Sequence, residues 1–98
     1  MEPVYLKKVD IIPIKAKKQI IGTWLDLGKE ELTLEISRRT FYYREHHEKF
    51  KYQFDADTIK IFYRDFVVSG KPAFIGDTLV ISASNGYIYK YLQIKEPL

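Results

Sequence analysis

From Gln19 to Ile94 the chain is a succession of short stretches in which apolar and polar residues alternate, separated by turn-forming residues. A side-chain period of two belongs to β-strands, and turn signals spaced roughly 8–12 residues apart are the pattern of a sandwich or barrel. Gln19 to Leu27 reads as the first convincing strand, and Gly28-Lys29-Glu30 as a turn. In Glu31 to Ile36, Leu32, Leu34 and Ile36 share one face while Thr33 and Glu35 share the other. Ser37-Arg38-Arg39 turns into an aromatic strand from Thr40 to Glu45. Glu48 to Phe54 sets Phe50, Tyr52 and Phe54 against Lys49, Lys51 and Gln53, and Asp55-Ala56-Asp57 turns into Thr58 to Tyr63. Arg64 to Ile75, which contains Gly70 and Pro72, reads as the longest irregular connection, with a short extended piece at Phe66-Val67-Val68. Gly76-Asp77 leads into a strand through Ser82, Asn85-Gly86 is the dipeptide of a type I′ hairpin, and Tyr87 to Ile94 is the last strand.

No stretch holds a helical period long enough to count. Short hairpin links make sequence neighbours antiparallel neighbours, and closing the sheet removes edges that so many β-formers would leave bare. The expected fold is therefore all-β: a small antiparallel up-and-down barrel, or a strongly curled meander, of about seven or eight strands. The length of 98 residues fits one domain. Residues 1–18 are lysine-rich and interrupted by Pro3 and Pro13, which suits an N-terminal arm or edge strand (Val4-Tyr5-Leu6, or Val9 to Ile14), and the barrel takes residues 19–98.

Gly22-Thr23-Trp24 on the first strand, followed by the strand around Leu32-Thr33-Leu34, by Phe41-Tyr42-Tyr43 and by hairpins to the C-terminus, resembles a short bacterial lipocalin-like (calycin) domain over about residues 19–95. The resemblance implies a barrel sealed at one end by the indole, a non-enzymatic role, and a small apolar or amphipathic ligand. A barrel that has lost its cavity would serve instead as an interaction module, toward a protein partner or a second copy of the chain. In such families a basic residue from the far end of the chain packs over the tryptophan. No Arg follows Arg64, so Lys90 or Lys95 would have to fill that place. The resemblance also implies export, to the periplasm or cell envelope with a signal removed. The residues themselves leave the cytoplasm open, since Met1-Glu2-Pro3-Val4-Tyr5 has no basic segment leading into an apolar one and no apolar run is long enough to span a membrane.

The candidate ligand-binding residues are Trp24, Phe41, Tyr43, Phe50, Tyr52, Tyr89 and Tyr91. Aromatic rings with a few polar tips suit an amphipathic small molecule. Their sides depend on register: with Tyr87, Tyr89 and Tyr91 inward they line core or pocket, whereas Ile88, Leu92 and Ile94 inward would turn the tyrosines out. The former arrangement is the one expected.

Other chemistries find less support. With no Cys there is no thiolate ligand or nucleophile. His46-His47 stands beside Glu45 and Glu48, but adjacent strand residues point to opposite faces and no second cluster completes a metal site. Asp55 and Asp57 are turn residues with no evident acid–base partner, so neither a catalytic group nor a cofactor is expected. A competing reading is an OB-like single-stranded nucleic-acid binder, with Lys49, Lys51, Lys60 and Arg64 on phosphates and surface tyrosines for stacking. It ranks second because Glu45, Glu48, Asp55, Asp57 and Asp65 are interspersed among the basic residues, and the net charge is only +3.

Overall fold

A computed structural model describes residues 11–28 and 31–95. Nine strands follow one another: β1 (Ile11–Pro13), β2 (Gly22–Asp26), β3 (Leu32–Ile36), β4 (Thr40–Tyr43), β5 (Glu48–Asp55), β6 (Thr58–Phe62), β7 (Val67–Ile75), β8 (Thr78–Ala83) and β9 (Ile88–Gln93). β2 to β9 pair antiparallel in sequence order, and β9 pairs back onto β2, closing an eight-stranded up-and-down barrel. The closed antiparallel barrel is compatible with a lipocalin-like fold. β1 is an additional strand laid on β7. Val4-Tyr5-Leu6 and the Lys29-Glu30 part of the first turn lie outside the described residues.

Strand parity builds the core. Trp24 and Asp26 on β2, Leu34 and Ile36 on β3, Phe41 and Tyr43 on β4, Tyr52 on β5, and Ile59 and Ile61 on β6 all point inward and are buried. Leu79 and Ile81 on β8 and Tyr91 on β9 complete the ring. The intervening residues Lys49, Lys51, Lys60, Lys90 and Leu92 face outward. A 3-10 turn, Lys17–Ile20, crosses the base of the barrel. The Gln19 side chain holds its start by accepting the Lys15 and Ala16 backbone N–H groups. Its end drops the fully buried Ile20 into the core, and the Ile20 carbonyl accepts the Trp24 indole N–H at 2.9 Å.

Three local expectations are corrected. Arg64 to Ile75 is not an irregular connection, because Val67–Ile75 is a nine-residue strand, the longest among the described residues. Its Gly70 is required by close approach, since a Cβ there would stand 2.7 Å from the Ser82 carbonyl oxygen and 2.8 Å from Ile81 Cγ2. Pro72 is tolerated because its carbonyl accepts the Ile14 N–H, so its missing donor also points to the β1 side. On that side β6 pairs with β7 only as far as Gly70, and β1 takes over at Ala73.

Asn85-Gly86 does not form a type I′ turn, which needs positive φ at two successive residues. Only Gly86 has it, at φ 92°. The Gly86 N–H donates to Ala83 O and the Ala83 N–H to Tyr87 O, while Asn85 Oδ1 accepts the Tyr87 N–H. This is the longer hairpin loop in which a left-handed glycine follows a simple turn.

The third correction concerns the indole. Neither Lys90 nor Lys95 covers Trp24, as both are exposed. The ring of Phe74, from β7, stacks on it at 6.1 Å and 22°. An apolar ring takes the place because β7 runs on past β6 to the base and carries residue 74 there.

Candidate functional site

The seven aromatic candidates all lie on the inner face, but at three levels of the barrel. Trp24 sits at the base, 1% exposed, held by Ile20 and Phe74. Phe41, Tyr52 and Tyr91 fill the middle. Phe41 meets Tyr52 edge-on at 5.0 Å and Tyr91 at 6.5 Å, which is the usual packing of buried rings. The Tyr52 hydroxyl donates to the Ser37 carbonyl at 2.6 Å, and the Lys17 ammonium lies 5.3 Å from its ring centroid. The barrel axis is thus occupied by side chains, and those four residues line a core. Tyr43, Phe50 and Tyr89 stand at the opposite end, the mouth.

At the mouth, Leu32, Tyr43, His46, Glu48, Phe50 and Tyr63 surround a cleft of about 130 Å³. Each comes from a strand end or the adjoining turn: Leu32 opens β3, Tyr43 closes β4, His46 lies in the β4–β5 turn, Glu48 and Phe50 open β5, and Tyr63 follows β6. Phe50 packs at 6.2 Å from Tyr43 and 4.9 Å from Tyr63, with the planes inclined by 69° and 59°. Phe66 stacks on the outer side of Tyr63 at 5.1 Å. The rings therefore form a wall, with the Glu48 carboxylate and the His46 imidazole on its polar side.

Behind Tyr43 lies Asp26, the one charged side chain that is buried among the described residues, 4% exposed. Its Oδ1 accepts the Gly28 N–H at 2.9 Å and its Oδ2 the Tyr43 hydroxyl at 3.1 Å. Tyr91 is its strand partner on β9, and the Tyr43 and Tyr63 hydroxyl oxygens are 3.5 Å apart. Burying a carboxylate is costly unless hydrogen bonds replace water, and these two do so. Burial pushes the Tyr43 hydroxyl far above the usual tyrosine range, and the neighbouring Tyr91 and Tyr63 hydroxyls and the Asp26 charge add to the effect. Tyr91 and Tyr63 are raised for the same first reason, burial. The site thus offers neutral hydroxyl donors, a buried acceptor and three ring surfaces.

Asp26 and Tyr63 escape a motif-based reading, and His46 enters it only as half of a histidine pair weighed for a metal. Parity would have found Asp26, which lies two residues after Trp24 and so on the same face. The remaining candidates are scattered. His47 hydrogen-bonds the Tyr42 hydroxyl at 3.1 Å on the outside. Asp55 and Asp57 lie at the base end in the β5–β6 hairpin, where Asp57 pairs with Lys71 at 3.7 Å. Among the described residues no group of three or more His, Cys, Asp or Glu could hold a metal ion, and no helix is long and apolar enough to cross a membrane. Comparison with protein-family models, curated proteins and solved structures finds no match to this chain.

Proposed function

We propose that this protein is a non-enzymatic, lipocalin-like barrel that takes one end of a small amphipathic molecule at its mouth, with its interior given over to packing. The observation that carries this reading is the cleft walled by Tyr43, Phe50 and Tyr63 in front of the Tyr43–Asp26 hydrogen bond. Pockets that enclose a drug-sized ligand run to about 300–1,000 Å³. A cleft of about 130 Å³ suits a single ring or a short alkyl end, with the polar part of the molecule left toward Glu48 and His46. The role as an interaction module is favoured by a separate observation: Leu27, Phe66, Val67, Tyr87 and Ile88 are exposed around the same mouth.

Trp24 stands at the far end of the barrel, so its fluorescence is a poor reporter of this cleft. The test is a panel of small aromatic and alkyl amphiphiles followed by NMR, reading the ring protons of Tyr43, Phe50 and Tyr63, beside thermal denaturation. A ligand at a hundred times its Kd stabilises the fold by about 2.7 kcal/mol. Binding should move those ring signals and weaken in Phe50→Leu. If no member of the panel moves them, ligand binding is refuted and the apolar rim remains as an interaction surface.

A further inference from the structure

The outer face of β4, β5, β6 and the first half of β7 answers the objection that the basic residues are diluted by acidic ones. Position along the strands sorts the two signs. Outward positions on this face are Thr40 and Tyr42, Lys49, Lys51 and Gln53, Lys60 and Phe62, and Val67 and Ser69. The acidic residues fall at its ends. Glu48 is at the mouth and pairs with Arg64 at 3.4 Å, while Asp55 and Asp57 sit in the hairpin at the base. Arg39, Lys49, Lys51 and Lys60 have no carboxylate partner among the described residues.

In the middle of this field stands Phe62, a large ring left 37% exposed on a strand. It is paired with Lys51 on one side and Val67 on the other. Two surface grooves meet at Phe62 and Lys51. One runs toward the mouth past Lys49, Arg64 and His47, and the other toward the base past Gln53, Thr40 and Arg39. Lys49 and Lys51 are about 7 Å apart along β5, and the neighbouring strand carrying Lys60 and Phe62 is about 4.8 Å away. Cations without a carboxylate partner among the described residues thus lie within one side-chain length of an open aromatic face, and the Lys49 ammonium also lies 6.0 Å from the Tyr42 ring centroid.

We propose that this face binds single-stranded nucleic acid, with Phe62 as the stacking platform and Arg39, Lys49, Lys51 and Lys60 as the phosphate contacts. A polymer carrying only charge would use the lysines and leave the ring idle. One that alternates a flat apolar base with a phosphate uses both. The contacts named for this face are distinct from those of the mouth cleft, although its mouthward groove reaches Glu48 and Phe50 at the rim; Phe62→Leu and Phe50→Leu therefore tell the two proposals apart.

The experiment is fluorescence anisotropy of the intact protein with a labelled oligothymidylate of about 12 nucleotides, within the range one small barrel occupies. A polyglutamate peptide of equal charge serves as comparator. Four phosphate contacts at about 0.7 counterion each predict affinity falling roughly 50-fold between 50 and 200 mM salt. Lys51→Gln or Lys60→Gln should reduce that to roughly 20-fold, each removing one contact. Phe62→Leu keeps an apolar strand residue and removes the stacking face, and should weaken binding about tenfold or more. All three positions point to solvent, and circular dichroism checks that each variant is folded. No binding at micromolar protein in low salt overturns the proposal. So does polyglutamate binding as tightly as the oligonucleotide with Phe62→Leu unchanged, which would make the face a general polyanion surface.

Discussion

Raising the pH tests the hydroxyl cluster at the mouth directly. Tyr43, Tyr63 and Tyr91 are held neutral in the folded barrel, chiefly by burial, with ionisation shifted above the usual tyrosine value. In the unfolded chain the same groups ionise near pH 10. Their neutral burial therefore contributes stability that is fully present below about pH 10 and is lost as the pH rises above it. At about pH 11, each hydroxyl that remains neutral when folded but ionises when unfolded costs about 1.4 kcal/mol. Tyr43 and Tyr91, together with Tyr52, which burial pushes up to about 12, remove about 4 kcal/mol, a large part of the roughly 5–15 kcal/mol that holds a domain of this size. The urea midpoint, read by Trp24 fluorescence, should fall by about 1–4 M between pH 8 and pH 11. Part of the tyrosinate absorbance should appear only as near-UV circular dichroism is lost. Tyr43→Phe keeps the ring and removes one titration, so the alkaline loss in that variant should shrink to about 3 kcal/mol. All eight tyrosines titrating together near pH 10 with the fold intact, or an alkaline loss no smaller in Tyr43→Phe, would refute the reasoning.

Three further substitutions test the rest of the fold. Trp24→Ala empties the base and orphans the Ile20 carbonyl, and should cost about 3–5 kcal/mol in urea denaturation; a variant as stable as the parent contradicts the plug. Gly70→Ala forces a Cβ to within 2.7 Å of the Ser82 carbonyl oxygen, so β7 and β8 must separate, at a cost of about 1–3 kcal/mol and with faster amide exchange along β8. Ala56→Gly should be stabilising by about 0.5–1 kcal/mol in thermal melts, because Ala56 is held at φ 57° in a two-residue loop where the matching loop after β7 places Gly76 at φ 61°.

Most of the barrel is legible from alternation, because a closed antiparallel sheet with one buried face writes its parity into each strand. Phe50, Tyr52 and Phe54 face in, and Lys49, Lys51 and Gln53 face out, as their chemistry asks. β9 is harder. Tyr89 and Tyr91 on one side and Ile88 and Leu92 on the other are all apolar enough to be inside, and the exposed Ile88 and Leu92 show that hydrophobicity alone does not choose the face. β7 was hidden by Gly70 and Pro72, residues that usually interrupt strands. Here one is needed for contact with β8, and the other presents its missing donor to the side where one neighbour ends and another begins. The mouth cleft was legible in part, through Tyr43 and Phe50. Asp26 is hard to read because a carboxylate in a strand is ordinarily solvated, and its burial is made tolerable by the Gly28 N–H and by the Tyr43 hydroxyl reaching over from β4, two strands away.

The pairing of β9 with β2 sets the order in which the molecule can assemble. Every other junction in the ring joins strands that follow each other in the chain, so each forms as a local hairpin with a short loop to close. The seam joins residue 24 to residue 93, residue 25 to residue 92 and residue 26 to residue 91. A strand made early in synthesis therefore waits, with one edge bare, until nearly the whole chain has emerged. Trp24 and Asp26 both lie on that waiting edge. Their side-chain hydrogen bonds, to Ile20, Gly28 and Tyr43, come from residues made well before β9 and can form first; closure then sets Tyr91 beside Asp26 and turns a curled ribbon of hairpins into a ring.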